Sequence, residues 1–418
     1  MDILLFVFCF AIFSYLLLRI KFVTQIGIKP WGIFLLFIVK IIAALAIGWI
    51  NNKYYPLNDY WGLNKEGFIE YKLLISNPLA YFKDITTSHY ADQYGNFFRT
   101  VDSYWNDLRT NIGIKLLAIS NIIARGNYYI NSLIFNFFGF LGYIALFKVF
   151  IHSYPLKKKA VIFGCFLLPS TLFFTSGLNK DLFIFTLLAF YSYALYFILN
   201  DRYTIKRLLL LLLSAVFILL IRNFLFVAII PSTIGLIISS NRKFHPAIAF
   251  FGIYFLACMT LLFIDINCTD FQPLGIISQR QNDFLQLPEA GSQLSMGLLQ
   301  PTLKSFILNL PNAINHGFLR PFIWDEGNIF MLLLSIELFF YQGLLLFMFF
   351  CKETYHKKTN PIIWFGLSIA IFMWLIIGFV IPNIGAIVRY KSLFLPFLII
   401  PILCNISTEK FDRIKRII

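Results

Sequence analysis

Eleven apolar runs set what this chain can fold into. Crossing a hydrocarbon core takes roughly 17–25 consecutive residues that are apolar and nearly uncharged. Runs that meet or approach this lie at 3–18, 31–50, 128–150, 160–177, 182–199, 208–221, 224–240, 247–264, 328–350, 361–381 and 392–405. Composition agrees, with 59% of the 418 residues hydrophobic and 13% charged, where a soluble protein carries about 25% charged residues. The sequence therefore predicts an all-α polytopic membrane protein with about 11 transmembrane helices, built as a single integral membrane domain over 1–418. The block 208–240 is one apolar run interrupted by Arg222-Asn223. It reads as a tight helical hairpin with Arg222 at its tip, the alternative being one long tilted helix.

Orientation follows from Lys and Arg, which collect in cytoplasmic connections. One alternating set of connections carries 19 basic residues and four acids. It includes Lys157-Lys158-Lys159, Arg202, Lys206, Arg207, Arg242, Lys243 and the tail bearing Lys410, Arg413, Lys415 and Arg416. The other connections balance their charges, so the net +15 rests on one face. This places the N-terminus outside, a short basic tail at 406–418 in the cytoplasm, and two long loops, 51–127 and 265–327, outside with short juxtamembrane helices. The pattern predicts a multi-pass protein whose basic connections face the cytoplasm. The basic surplus serves topology and anionic membrane lipid, not nucleic acid. The first run lacks a basic leader and a small-residue cleavage site, so it reads as a membrane helix and not a signal peptide.

Several chemistries have no motif here. There is no Gly-rich phosphate loop with its Lys and no HExxH. The six cysteines show neither zinc spacing nor a disulfide framework, and most fall within spans. No metal ligands are assigned.

Function must then come from polar groups at the outer face, and four clusters map there. The first is Asn58-Asp59-Tyr60-Trp61 with Glu66, and the second is the run Ser176 to Asp181. The third is His316 to Phe322 with Trp324-Asp325-Glu326, and the fourth is Asn383 to Lys391. Arg222 joins them from its hairpin. Each has a plain alternative. Asp59 caps a helix, Lys180 pairs with Asp181 across a short turn, Arg320 and Asp325 anchor a helix end, and Arg389 and Lys391 snorkel to headgroups. Glu337 lies within a span, where a carboxylate is costly and is paired or functional.

Transfer of a lipid-linked sugar would use this whole set. A polyprenyl phosphate puts its phosphate at headgroup level, where arginine forks and lysine point charges hold it. An acceptor hydroxyl needs a carboxylate base within hydrogen-bond reach. Asp59 and Glu66 are the candidate catalytic acids. Lys180, Asp181, Arg222, Arg320, Arg389, Tyr390, Lys391, Tyr60 and Trp61 are the candidate substrate-binding residues, the aromatic rings offering flat faces to sugars.

The order of features resembles the GT-C type of polytopic glycosyltransferase. It does so through Asp59 with the segment 60–125, LLPSTLFFTSGLNKD at 167–181, and Arg389-Tyr390 ahead of Pro396. The resemblance implies a polyprenyl-phosphate-linked sugar as substrate and a glycan or lipid acceptor. Better-known members often carry paired acids in the first loop, whereas Tyr60 follows Asp59 here and the next acid is Glu66. A divalent cation therefore stays open as the one cofactor. FLRPFIWDE and VRYKSLFLPF also resemble membrane proteins of bacterial surface-polysaccharide clusters. The rival readings are an O-antigen or capsule repeat-unit polymerase acting on polyprenyl-diphosphate oligosaccharides, and a transporter of lipid-linked oligosaccharide. Arg280 and Gly291 match the spacing of a polymerase motif, at a frequency chance alone supplies.

Overall fold

The computed structural model describes residues 3–55, 58–84, 104–240, 245–268, 271–287, 291–325, 328–351 and 360–407. Glu326, Arg242, Lys243, the basic segment 352–358 and the tail from 408 lie outside the described residues, as does 85–103. Every regular element among the described residues is helical. In chain order they begin with α1 (Ile3–Arg19), α2 (Lys21–Thr24), α3 (Pro30–Tyr54), α4 (Asp59–Ser76), α5 (Pro78–Lys83) and α6 (Tyr104–Ala124). Next come α7 (Tyr128–Ser153), α8 (Lys158–Phe166), α9 (Pro169–Phe174), α10 (Lys180–Asn200), α11 (Ile205–Ile221) and α12 (Asn223–Ser240). The rest are α13 (Pro246–Asn267), α14 (Pro273–Leu285), α15 (Leu303–Ile314), a π-helical turn at Asn315–Leu319, α16 (Ile329–Phe350), α17 (Pro361–Val380), α18 (Ile384–Ser392) and α19 (Leu395–Asn405).

Seven of these are long and apolar enough to cross a membrane: α3, α7, α10, α12, α13, α16 and α17. The count reaches eight if α18 and α19, bent by 63°, form one broken span. The remaining apolar runs take other forms. The run at 160–177 divides into α8 and α9, with Leu167-Leu168 between them. Pro169 has no amide hydrogen and restricts the residue before it, which places the break there. α1 and α11 have 17 residues each. The helices on either side of Arg222 stop and start at that residue. The approach to the last run is the helix α18, with the Asn383 side chain accepting from the Ala386 amide as its N-cap.

The chain forms two compact units. Unit 1 comprises Met1–Lys148, Leu172–Ala194 and Leu208–Arg222; unit 2 comprises Val149–Thr171, Leu195–Arg207 and Asn223–Ile418. In unit 1, α4 buries Tyr60, Asn64 and Gly67, which recur at helical spacing along one face. A Cβ at Gly67 would collide with Leu117 of α6, so glycine lets the two helices close. Three buried asparagines tie this packing to the turn before α7. Asn64 donates to the Gly126 carbonyl at 3.0 Å, and Asn131 donates to the amide oxygens of Asn64 and Asn121 at 2.8 and 2.9 Å. The Gly126 amide donates to Asn121 at 2.7 Å, and its φ of +88° suits glycine.

In unit 2, α12 packs against α13 and α17. Ser232, Tyr254 and Ser368 link the three through hydroxyls at 2.7 and 2.8 Å. The π-helical turn presses on α17, with Gly317 against the Trp374 carbonyl and Gly378 against that of Ala313. A short antiparallel bridge joins Gln293 to Asn383 and steadies the start of α18.

Candidate functional site

The four sequence clusters divide two and two. In unit 1 the first and second meet. The Tyr60 ring lies against Gly177, where any side chain would collide with it. Asp59 precedes that ring by one residue and Lys180 follows that glycine by three. Asp59 opens α4 after the cap Asn58, whose side chain accepts from the Trp61 amide. A carboxylate in a first turn is favoured by the helix dipole. Glu66 stands seven residues on, along the same face, and both acids are exposed.

Two candidate sugar platforms are taken by packing. Tyr60 is only 5% exposed and belongs to the core with Ile47, Leu117 and Tyr128. Trp61 stacks on Tyr128 at 4.4 Å between centroids and donates to the Gly48 carbonyl at 3.0 Å. Tyr60 is thus enclosed by protein, while Trp61 is half-buried with one face taken by Tyr128.

Asp181 is fully buried and pairs with Arg222, Oδ1 to Nη2, at 3.2 Å. The partner is thus the arginine of the helix break and not the neighbouring lysine of the short-turn alternative. Asn179 caps α10 by accepting from the amides of Asp181 and Leu182 at 3.1 and 3.2 Å. Arg109, which sequence reasoning passed over, donates to the Ile221 carbonyl at 3.4 Å and so caps the end of α11. Its signal was weak: one arginine in a helix of mixed polarity. Below these charges a cleft of about 240 Å³ opens among α4, α6, α7, α10 and α11, with Arg109 and Lys180 in its wall.

Two buried lysines complete unit 1. Lys40 donates to the Thr175 carbonyl at 3.0 Å and the Ser176 hydroxyl at 3.2 Å, its ammonium 4.3 Å from the Tyr143 ring centre. Lys115 bridges Glu70 at 2.5 Å and Asp84 at 2.8 Å, and its carbonyl accepts from Tyr81. Burial, with Glu70 nearby, pushes the Tyr81 hydroxyl above the usual phenol range.

In unit 2 the third and fourth clusters meet. Lys391 of α18 is buried and donates to the Arg320 carbonyl at 2.8 Å. Arg320 pairs with Asp325 at 3.2 Å, while Asp325 also accepts from the Phe322 amide at 2.8 Å. Phe322 and Trp324 stack at 5.0 Å. Arg389 and Tyr390 occupy the same last turn of α18 as Lys391, both half-buried, with the guanidinium 5.8 Å from the Tyr390 ring centre. His316 is buried beside Arg320, and burial first, then that positive neighbour, holds its imidazole below the usual range.

Glu337 accepts from the Ser170 amide and hydroxyl at 3.0 Å and from the Tyr341 hydroxyl at 2.6 Å. Glu337 and Lys391 line one cavity of about 20 Å³, room for about one water. Arg280 pairs locally with Asp283, one helical turn away, at 3.6 Å.

No three His, Cys, Asp or Glu side chains gather as metal ligands among the described residues. Asp59 and Glu66, seven residues apart on a helix rising about 1.5 Å per residue, lie roughly 10 Å apart. They do not fit a shared divalent cation.

Fold and polar sites together define a multi-pass helical membrane protein with charged groups held at helix ends. No family model matches the chain, and neither a curated protein nor a solved structure matches it.

Proposed function

We propose that this protein transfers a sugar from a polyprenyl-phosphate-linked donor to a glycan or lipid acceptor at the outer face of the bacterial inner membrane. The observation that carries the reading is the unit 1 constellation. The exposed Asp59 precedes Tyr60, whose ring packs on Gly177, and that glycine lies three residues before Lys180 and the Asp181 that pairs with Arg222. A carboxylate at the surface and basic groups near a helix start are the two parts such a transfer needs. Asp59 acts as general base towards the acceptor hydroxyl, with Glu66 as the second acid on that face. Lys180 and Arg222 neutralise the phosphate, and Asp181 orients Arg222. In unit 2, Arg389 and Tyr390 are the candidate binding pair, with Arg320 and Lys391 positioning α18.

The reading keeps eleven spans, loops 51–127 and 265–327 outside, and 155–159 and 201–207 in the cytoplasm. A single-cysteine Lys158→Cys variant is therefore expected to resist an impermeant thiol reagent on intact cells. The deciding experiment is mass spectrometry of lipid-linked intermediates in cells lacking the chain. A transferase leaves a polyprenyl-phosphate monosaccharide unused and an acceptor short of one sugar. Accumulation of complete repeat units on polyprenyl diphosphate would overturn the reading in favour of a polymerase if they lie outside, or a transporter if they lie inside.

A further inference from the structure

The 240 Å³ cleft of unit 1 has two unlike ends. Its walls are apolar and aromatic, with Leu116, Phe135, Phe138, Phe183, Leu187 and Phe217 prominent. Its charged lining residues are Arg109 and Lys180, both basic. They sit where α10 begins and α11 ends, because Lys180 is the first residue of α10 and Arg109 is bonded to the last carbonyl of α11. Arg222, the next residue in the chain, brings a second guanidinium near that end, paired with Asp181. From there the lining follows α10 from Lys180 to Phe190. At about 1.5 Å per residue this run is roughly 15 Å, about half the ~30 Å hydrocarbon thickness. So narrow a volume over that length leaves no room for a helix, whose diameter is roughly 10 Å or more. It suits one hydrocarbon chain.

We infer that this cleft seats the chain of a single-chain isoprenoid phosphate, its phosphate held by Arg109 and Lys180 and its tail directed towards the bilayer midplane. Charge complementarity at one end and a single-chain section below select this occupant over an ordinary two-chain phospholipid. The role as sugar carrier rests on the transferase reading; the binding itself does not. Gly113 provides a clean test. It lines the cleft, and a Cβ built there meets no atom within 4 Å. A Cβ at this position therefore meets open space, so a larger side chain can start into the cleft, and replacing glycine inside a helix favours the helix.

The experiment uses the full chain in phosphatidylcholine nanodiscs, photolabelled with a diazirine-tagged geranylgeranyl phosphate. Labelled peptides are expected in α6 and α10. Unlabelled geranylgeranyl phosphate should compete at least tenfold better than geranylgeraniol, and inorganic phosphate should not compete. Gly113→Leu, and Leu187→Trp from the opposite wall, should cut labelling at least tenfold at unchanged thermal stability. Arg109→Gln should weaken geranylgeranyl phosphate about tenfold and leave geranylgeraniol unaffected. Labelling that survives both filling variants, or that spreads over α13 and α16, overturns the inference. So does equal competition by phosphatidylglycerol. Labelling in the cleft of a chain that transfers no sugar would sink the transferase reading alone. Sugar transfer that persists in Gly113→Leu after cleft labelling is lost would overturn the cleft as the sugar carrier's seat while the transferase reading stands.

Discussion

Unit 1 buries Asp181 against an arginine 41 residues along the chain, beside a cleft of about 240 Å³. Unit 2 holds a half-buried Glu337 among one amide and two hydroxyls, and its Lys391 shares a cavity of about 20 Å³ with that acid while bonding to a backbone carbonyl. A carboxylate withdrawn from water costs free energy when it is left isolated, several kcal/mol where it is fully buried as Asp181 is. Unit 1 meets the cost with an opposite charge and keeps space next to it. Unit 2 meets it with hydrogen bonds and leaves room for about one water. The difference teaches where chemistry can happen: a reacting group needs volume beside it for substrate, and the unit 1 cleft offers that volume near buried charge where the cavity at Glu337 does not.

The sharpest way to break this comparison is Asp59→Asn. The substitution keeps size and removes basicity at an exposed position, so folding should hold while sugar transfer drops roughly 10²–10⁴-fold. Pulse-labelled glycan assembly measures it, and near-normal assembly would remove Asp59 from the chemistry.

Asp181→Ala comes next. It leaves Arg222, 20% exposed at the side chain, without its buried carboxylate. Loss of one partner of a fully buried pair costs about 3–5 kcal/mol; the partial exposure of Arg222 lowers this to about 2–3. Adding Arg222→Ala should recover part of that stability in a double-mutant cycle read by thermal unfolding in detergent. Additive losses would mean that the pair contributes nothing.

Glu337→Gln should cost less, about 1–2 kcal/mol, because the amide oxygen still accepts from the Ser170 and Tyr341 donors. Transfer should stay within a few-fold of wild type. A hundredfold loss in a folded Glu337→Gln protein would move the chemistry to unit 2.

The smallest effect belongs to Lys40→Met, which keeps the length of the stem and discards the ammonium. Replacing a buried charge by an apolar side chain of similar volume is often neutral or stabilising, so unfolding should shift by less than about 1 kcal/mol. A larger loss would show that the bonds to Thr175 and Ser176 hold that end of the unit together.

Long apolar runs made α3, α7, α10, α12, α13, α16 and α17 readable, because length and hydropathy alone decide membrane helices. The divided helices were harder. Pro169 shortens α9 and α8 to fragments, and the polar text of α18 hides a helix because Asn383 caps it and Ile384, Ile387, Val388 and Lys391 turn inward together. Of the site, the clusters and the break at Arg222 could be read directly. Their pairing, 60 with 177 and 320 with 391, depends on tertiary approach between glycine, aromatic and carbonyl groups far apart in the chain. The role of Arg109 was likewise invisible, since only the end of α11 gives it one. Tyr60 and Trp61 misled for a physical reason: an aromatic ring at a helix start serves a core as well as a sugar.

The asparagines beneath α4 have a consequence for how the acids above them behave. Asn64, Asn121 and Asn131 are at most 5% exposed, and an amide side chain carries no net charge. Salt does not screen such a clamp as it screens an exposed ion pair, and a change of acidity does not unmake it. Asp59 and Glu66 can meet a charged substrate on a foundation indifferent to its charge.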